Sequence, residues 1–262
     1  MKSVLLTTWA VTAVISAASA AQFPPPGGPR AHAGFGPGGF APGMHPGKVV
    51  SGAPYTATAT NTFTQTLANG NTIQRTTTAT VARDNSGRTY VQQTITGGPL
   101  ASTNGPATFT FINDPVAGYS YVLDANTKVA TRRPLHTPPP DSENTPWHSD
   151  KPPHPNVTEN ELGAKTINGL NVTGRSLTHN IPAGEIGNAQ PITATTETWY
   201  SPDLKVVVTS TRNDPRTGTN VYALTNIVRQ DPPAAWFQVP PDYAIEDARS
   251  FRRGPHGPAP PQ

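Results

Sequence analysis

The chain has no cysteine, and that absence excludes a disulfide framework, thiol catalysis, thiolate metal sites and the acylated cysteine of a bacterial lipoprotein. Stability has to come from packing alone. Charge is scarce too: Asp, Glu, Lys and Arg make up 13% of the 262 residues, about half the usual share. The 19 Lys+Arg stand against 16 Asp+Glu, and the small surplus is scattered apart from Arg132-Arg133 and Arg252-Arg253. No basic face follows, so no nucleic-acid partner is expected. A 3.6-residue period over a dozen positions is missing from the chain beyond its N-terminus, which argues against a helical protein.

Long apolar runs are missing as well, with one exception at the start, "MKSVLLTTWAVTAVISAASAAQF". Lys2, the apolar stretch Val4 to Ile15 and the small residues Ala18-Ser19-Ala20 have the order of an export signal, residues 1–20, cut after Ala20. Thr7, Thr8 and Thr12 interrupt the run, and a lasting membrane anchor needs about 20 apolar residues. The expected location is the periplasm or the exterior of a bacterium, with no stable membrane insertion after cleavage.

What fills the space instead is 37 Thr, 23 Gly and 31 Pro. Residues 22–47 hold 15 Gly or Pro in 26 positions, too little apolar surface to offset the entropy of ordering, so 21–53 reads as a disordered arm. Residues 134–157 are a Pro-rich insertion and 244–262 a disordered tail of the same kind. The remainder, 54–243 less the insertion, is enough for a single β domain of ordinary size.

In "YTATATNTFTQTL" the residues alternate strictly, with Tyr55, Ala57, Ala59, Phe63 and Leu67 on one face and threonines on the other. A three-residue loop Asn69-Gly70-Asn71 keeps like faces together and sets Leu67 opposite Ile73 and Ala59 opposite Val81. "RDNSGR" places Gly87 where a turn needs positive φ and pairs Val81 with Val91. "ATFTFIND", "YSYVLD" and "KVATRR" continue the meander. Thr158 to Glu161 has the spacing of a capping box, but Gly163 and the β-branched residues favour strands at 162–167 and 170–179 around Asn168-Gly169. "DPPAAWFQVPPDY" predicts one or two helical turns with Asp231 as N-cap and Pro232 first in the helix, dropping Trp236 and Phe237 inward.

"ETWYSPDLKVVVTSTRNDPRTGTNVYALTNIVR" (197–229) refuses to alternate. A four-residue loop from Pro215 to Gly218 sets Val206 opposite Ile227 and Thr209 opposite Leu224, giving a ribbon with apolar residues on both faces. Both faces need cover, from a second sheet, from the Trp236-Phe237 segment or from outside the chain.

The phrases "ETWYSPDLKVVV", "NDPRTG", "YALTNIVR" and "WFQVPPDY", with "QTLANGNTI" and "RDNSGRT" upstream, resemble a family of exported bacterial proteins. More distantly the strand order and the closing Phe-x-Val-Pro phrase are similar to the open half-barrels of periplasmic lipoprotein carriers and anti-sigma regulators (LolA/LolB/RseB-like). That resemblance implies a curved sheet with an apolar concave face that holds lipid or a lipoprotein signal. The carriers begin with an amphipathic helix that plugs the barrel, whereas residues 22–53 here are Gly/Pro-rich.

The candidate ligand-binding residues are Trp199, Val206, Val208, Tyr222, Leu224 and Trp236, aromatic and aliphatic groups around the two-faced ribbon. Glu197 is the weak catalytic candidate, a carboxylate inside a strand between apolar neighbours; Asp203 and Asp214 occupy turn positions that Asp favours for local hydrogen bonding. His136, His148 and His154 lack the spacing of a metal site, and no phosphate loop, dinucleotide fingerprint or nucleophile motif occurs. No cofactor or metal is expected. The expected fold is all-β, a curved antiparallel sheet of ten to twelve strands as an open half-barrel or a sandwich. The expected function is a non-enzymatic binding or scaffolding role, holding lipid, another apolar ligand or a protein segment. The alternatives are an envelope or matrix structural protein and a carbohydrate hydrolase centred on Glu197. The pattern sets no oligomeric state.

Overall fold

A computed structural model describes residues 49–95, 106–135 and 155–248. The export signal, the arm up to residue 48, residues 136–154 of the insertion and the tail beyond residue 248 lie outside the described residues. Twelve strands follow in chain order: β1 (Tyr55–Thr66), β2 (Thr72–Arg83), β3 (Thr89–Ile95), β4 (Ala107–Asp114), β5 (Tyr119–Asp124) and β6 (Val129–Pro134), then β7 (Val157–Ile167), β8 (Leu170–Ile181), β9 (Ile192–Ser201), β10 (Val206–Asp214), β11 (Gly218–Val228) and β12 (Ala244–Asp247). They form one sheet in the order β12-β6-β5-β4-β3-β2-β1-β11-β10-β9-β8-β7. Every neighbouring pair is antiparallel except β12 on β6. The sheet is open, with β12 and β7 as its edges, and no α-helix occurs among the described residues.

Two contacts show that the sheet curls. Arg83 at the end of β2 donates to the carbonyl of Leu204, just before β10. Asn168, between β7 and β8, donates to the carbonyl of Leu224 on β11 at 2.7 Å. Adjacent strands lie about 4.8 Å apart, so in a flat sheet these partners, three strands apart, could not meet.

Alternation decides what each face buries. Tyr55, Ala57 and Ala59 of β1 are buried, and the threonines between them are half-exposed. The β1–β2 turn has the expected three residues but begins one position earlier: Leu67 N–H bonds to Asn71 O at 2.7 Å, and Ala57 rather than Ala59 faces Val81. The slip is two residues, an even number, so the faces still match. Val81 faces Val91 as expected, and Gly87 has φ +85°. Asn168 and Gly169, with φ of 50° and 76°, make the two-residue hairpin turn that joins β7 and β8.

The 197–229 ribbon differs from expectation by one residue, and that changes every face. Gly218 is already in β11 and pairs with Asp214, so Thr209 faces Ala223 and Tyr222 faces Ser210. The glycine is required there: a Cβ would lie 2.3 Å from the Thr64 carbonyl oxygen. The consecutive valines have a different cause. A bulge lies between Val207 and Thr209 where β10 meets β9, and one extra residue in a strand lets neighbours point to the same side.

Both faces of the sheet carry a buried cluster, although Val221 and Val228 of the ribbon stay exposed. One cluster contains Tyr55, Val81, Val91, Val172, Trp199, the three valines and Leu224. The other contains Ala82, Tyr90, Ile112, Leu123, Ala130 and Phe237. Val81 and Ala82, like Tyr90 and Val91, are sequence neighbours on one strand, so the clusters lie on opposite faces. The second is roofed by a 3-10 turn, Ala234–Phe237, whose Trp236 stacks on Tyr90 at 5.0 Å between ring centroids. Asp231 does not cap this turn. Pro233 stands at the cap without a side-chain bond, and Asp231 Oδ1 instead accepts from Asn85 N–H at 2.8 Å, because a single turn leaves few amides for a cap to satisfy.

At the start of the described chain, Gly52 N–H bonds to Asn85 O at 3.0 Å. Ala53 is buried, and its carbonyl accepts from Arg83 Nε and Nη2 at 3.0 and 2.8 Å.

Candidate functional site

The bulge and the curl bury the apolar candidates of the ribbon that the sequence marks as two-faced. Val206, Val208, Tyr222 and Leu224 are no more than 4% exposed and Trp199 is 7%; Trp236 is half-buried against Tyr90. Their surroundings are other core side chains. Trp199 lies flat on Gly174, where a Cβ would sit 2.4 Å from the ring, and the Lys165 ammonium stands 3.5 Å from the centre of that ring. Its Nε1–H donates to Glu197 Oε1 at 2.5 Å. Glu197 is itself exposed, and its register partners are Thr211 and Ser176, not a second carboxylate. Asp203 pairs with Arg229 and Asp214 with Arg216 and Arg212, each at a turn.

The hollow beside these strands lies on the other face of β7, β8 and β9. Pairing sets Glu161 beside Arg175 and Thr173 beside Tyr200, opposite in facing to the Gly174–Trp199 pair. These side chains, with Glu159, Ala164 and Pro202, line a space of about 580 Å³, within the ~300–1,000 Å³ range of small-ligand sites. Gly163 and Gly174 contribute backbone to its lining. A bulge between Glu161 and Gly163 turns the two halves of β7 in different directions, so that Glu159 and Glu161 reach the hollow while Lys165 goes to Trp199.

The electrostatics are simple. Glu159 and Arg175 form an ion pair, and burial pulls the Arg175 guanidinium below its ordinary value. Burial also raises the Tyr200 phenol, with the Arg83 charge opposing it. Glu161 is exposed and has no ion pair among the described residues. No group of three His, Asp or Glu suited to a metal occurs among the described residues. The arrangement offers charged and aromatic groups that can bind and orient a guest.

Sequence reasoning passes over Glu159, Glu161 and Arg175. The Thr158-x-x-Glu161 spacing points to a helix start, and only the pairing of β7 with β8 brings these charges to one face.

No protein-family model and no curated protein matches the chain by sequence. Solved structures similar to it include an uncharacterised conserved protein from Thermus thermophilus, 11% identical over 75% of this chain and 91% of that one, with a TM-score of 0.41. MucB of Pseudomonas aeruginosa in complex with MucA is 10% identical over 74% of this chain, TM-score 0.41. This chain spans 58% of that one. A LolA superfamily protein from Nitrosomonas europaea is 8% identical over 71% of this chain and 90% of that one, TM-score 0.30. The LolA superfamily named from the residues is thus represented among these similar structures.

Proposed function

We propose that this chain is an exported, non-enzymatic binding protein that holds an extended protein segment at the hollow beside β7. The observation that carries the reading is the position of that hollow. It lies beside an edge strand of eleven residues, which has no neighbour on its outer side among the described residues. An edge strand offers a row of unpaired amides and carbonyls, and an adjacent hollow gives specificity through alternate side chains of an added strand. Val206, Val208, Tyr222 and Leu224 of the ribbon, by contrast, are already buried by the chain's own residues.

Hydrogen exchange on the full chain, with and without extended peptides, tests this reading. Bound peptide is expected to slow exchange of the outward-facing amides of β7 and leave β1 and β2 unchanged. Unaltered exchange in β7, together with native mass spectra that show the bare protein alone, overturns it; a co-purified lipid in those spectra moves the guest to the apolar class.

A further inference from the structure

We infer that the hollow selects a cation, the lysine or arginine side chain of a segment laid along β7; the inference rests on the binding reading above and names the chemistry of its guest. Three carboxylate and guanidinium groups line the hollow, and two of them already neutralise each other: Glu159 holds Arg175. Glu161 is left over. It projects from the same face of β7 as Glu159 and lies in register with Arg175, so a guest meets one uncompensated negative charge. An anionic side chain would meet two carboxylates and an arginine already engaged.

The rest of the lining suits the stem of such a side chain. Ala164, Pro202 and the Tyr200 ring provide apolar surface for a methylene chain, and an aromatic face attracts a cation as well. Long basic side chains bury their stems and keep the charge at the polar end, which matches a hollow with carboxylates along the edge-strand side.

The same features explain why this edge does not pair indiscriminately. Charges and bulges on an edge strand discourage nonspecific addition. β7 has Glu159, Glu161 and a bulge at Leu162, so a neutral or acidic strand gains little there. A strand with a cation at the right position turns the same charge from an obstacle into a contact.

The test uses the full chain and labelled peptides of about ten residues, enough to run the length of β7 at ~3.3 Å per residue. The peptides differ at one position only, carrying lysine, norleucine or glutamate, and affinity is read by fluorescence anisotropy at low and high salt. Lysine is expected to bind roughly tenfold tighter than norleucine, with the advantage shrinking as salt screens it. Glu161→Gln should remove the advantage and leave the norleucine peptide unchanged. Equal binding of lysine and norleucine, or an advantage that survives Glu161→Gln, overturns the cation inference while the binding reading stands. If none of the peptides binds, both fall.

Discussion

Asp214 shows how much a single turn residue can hold. Its side chain is 1% exposed, yet it is surrounded by donors. Arg216 donates from Nε at 2.9 Å and from Nη2 at 2.7 Å, its backbone N–H adds a third bond at 3.0 Å, and Arg212 contributes at 3.4 Å. Hydrogen bonding by Arg216 is the main reason its carboxyl sits at about 2 rather than 3.8. A carboxyl whose folded value lies below its unfolded one adds stability above the unfolded value and loses it as pH falls. The window is therefore from just above pH 3.8 down to about 2, and the increment at neutral pH is about 2 kcal/mol. Urea midpoints against pH for the wild type and Asp214→Asn should differ at pH 7 and converge across that window. A difference curve flat in pH would show that the carboxyl of Asp214 titrates alike in the folded and unfolded chain.

At the level of elements, what could be read from the residues followed from periodicity, and what could not followed from pairing. The alternation of β1 and the Asn168-Gly169 turn are local, so they were legible. The β1–β2 slip kept face parity because a two-residue error is even. The bulge in β10 was invisible, since consecutive valines read equally well as a two-faced strand. β12 was missed because all four of its residues are exposed and it carries no alternation; composition placed it in the tail. It is held by pairing with β6, by Arg132 donating to both oxygens of Asp247 at 2.7 and 3.1 Å, and by Lys128 with Asp242 at 2.9 Å. These are exposed pairs, which solvent screening leaves with little effect on stability. Phe237, 3% exposed, anchors the same segment by burial, and truncating such a ring costs about 3–5 kcal/mol. Phe237→Ala should therefore destabilise the protein severalfold more than Asp247→Asn in urea unfolding. The reverse order would mean that ion pairs, not the aromatic roof, hold the segment.

Among the described residues, the sheet has no α-helix to cover it and buries its apolar side chains by curling and by folding the segment after β11 back. That separates stability from binding. The core joins β1–β3 to β8–β11, while the hollow is on the opposite face of β7–β9 from Trp199, lined by charges the core does not use. The apolar candidates chosen from the sequence belong to that core, except Trp236, which packs on the second cluster, because apolar residues in sequence report burial and cannot report whose atoms do the burying. The hollow was illegible because its residues are drawn from three strands and a turn, and ordinary Glu, Arg and Thr positions acquire meaning only in register. Val208, fully enclosed, distinguishes the two roles. Val208→Ala removes two methyl groups from a packed site and should cost about 2 kcal/mol in urea unfolding, while the affinity for a lysine-bearing peptide stays at the wild-type value. Loss of that affinity without loss of stability would return the guest to the valine ribbon, since only direct contact could then connect a core methyl to binding.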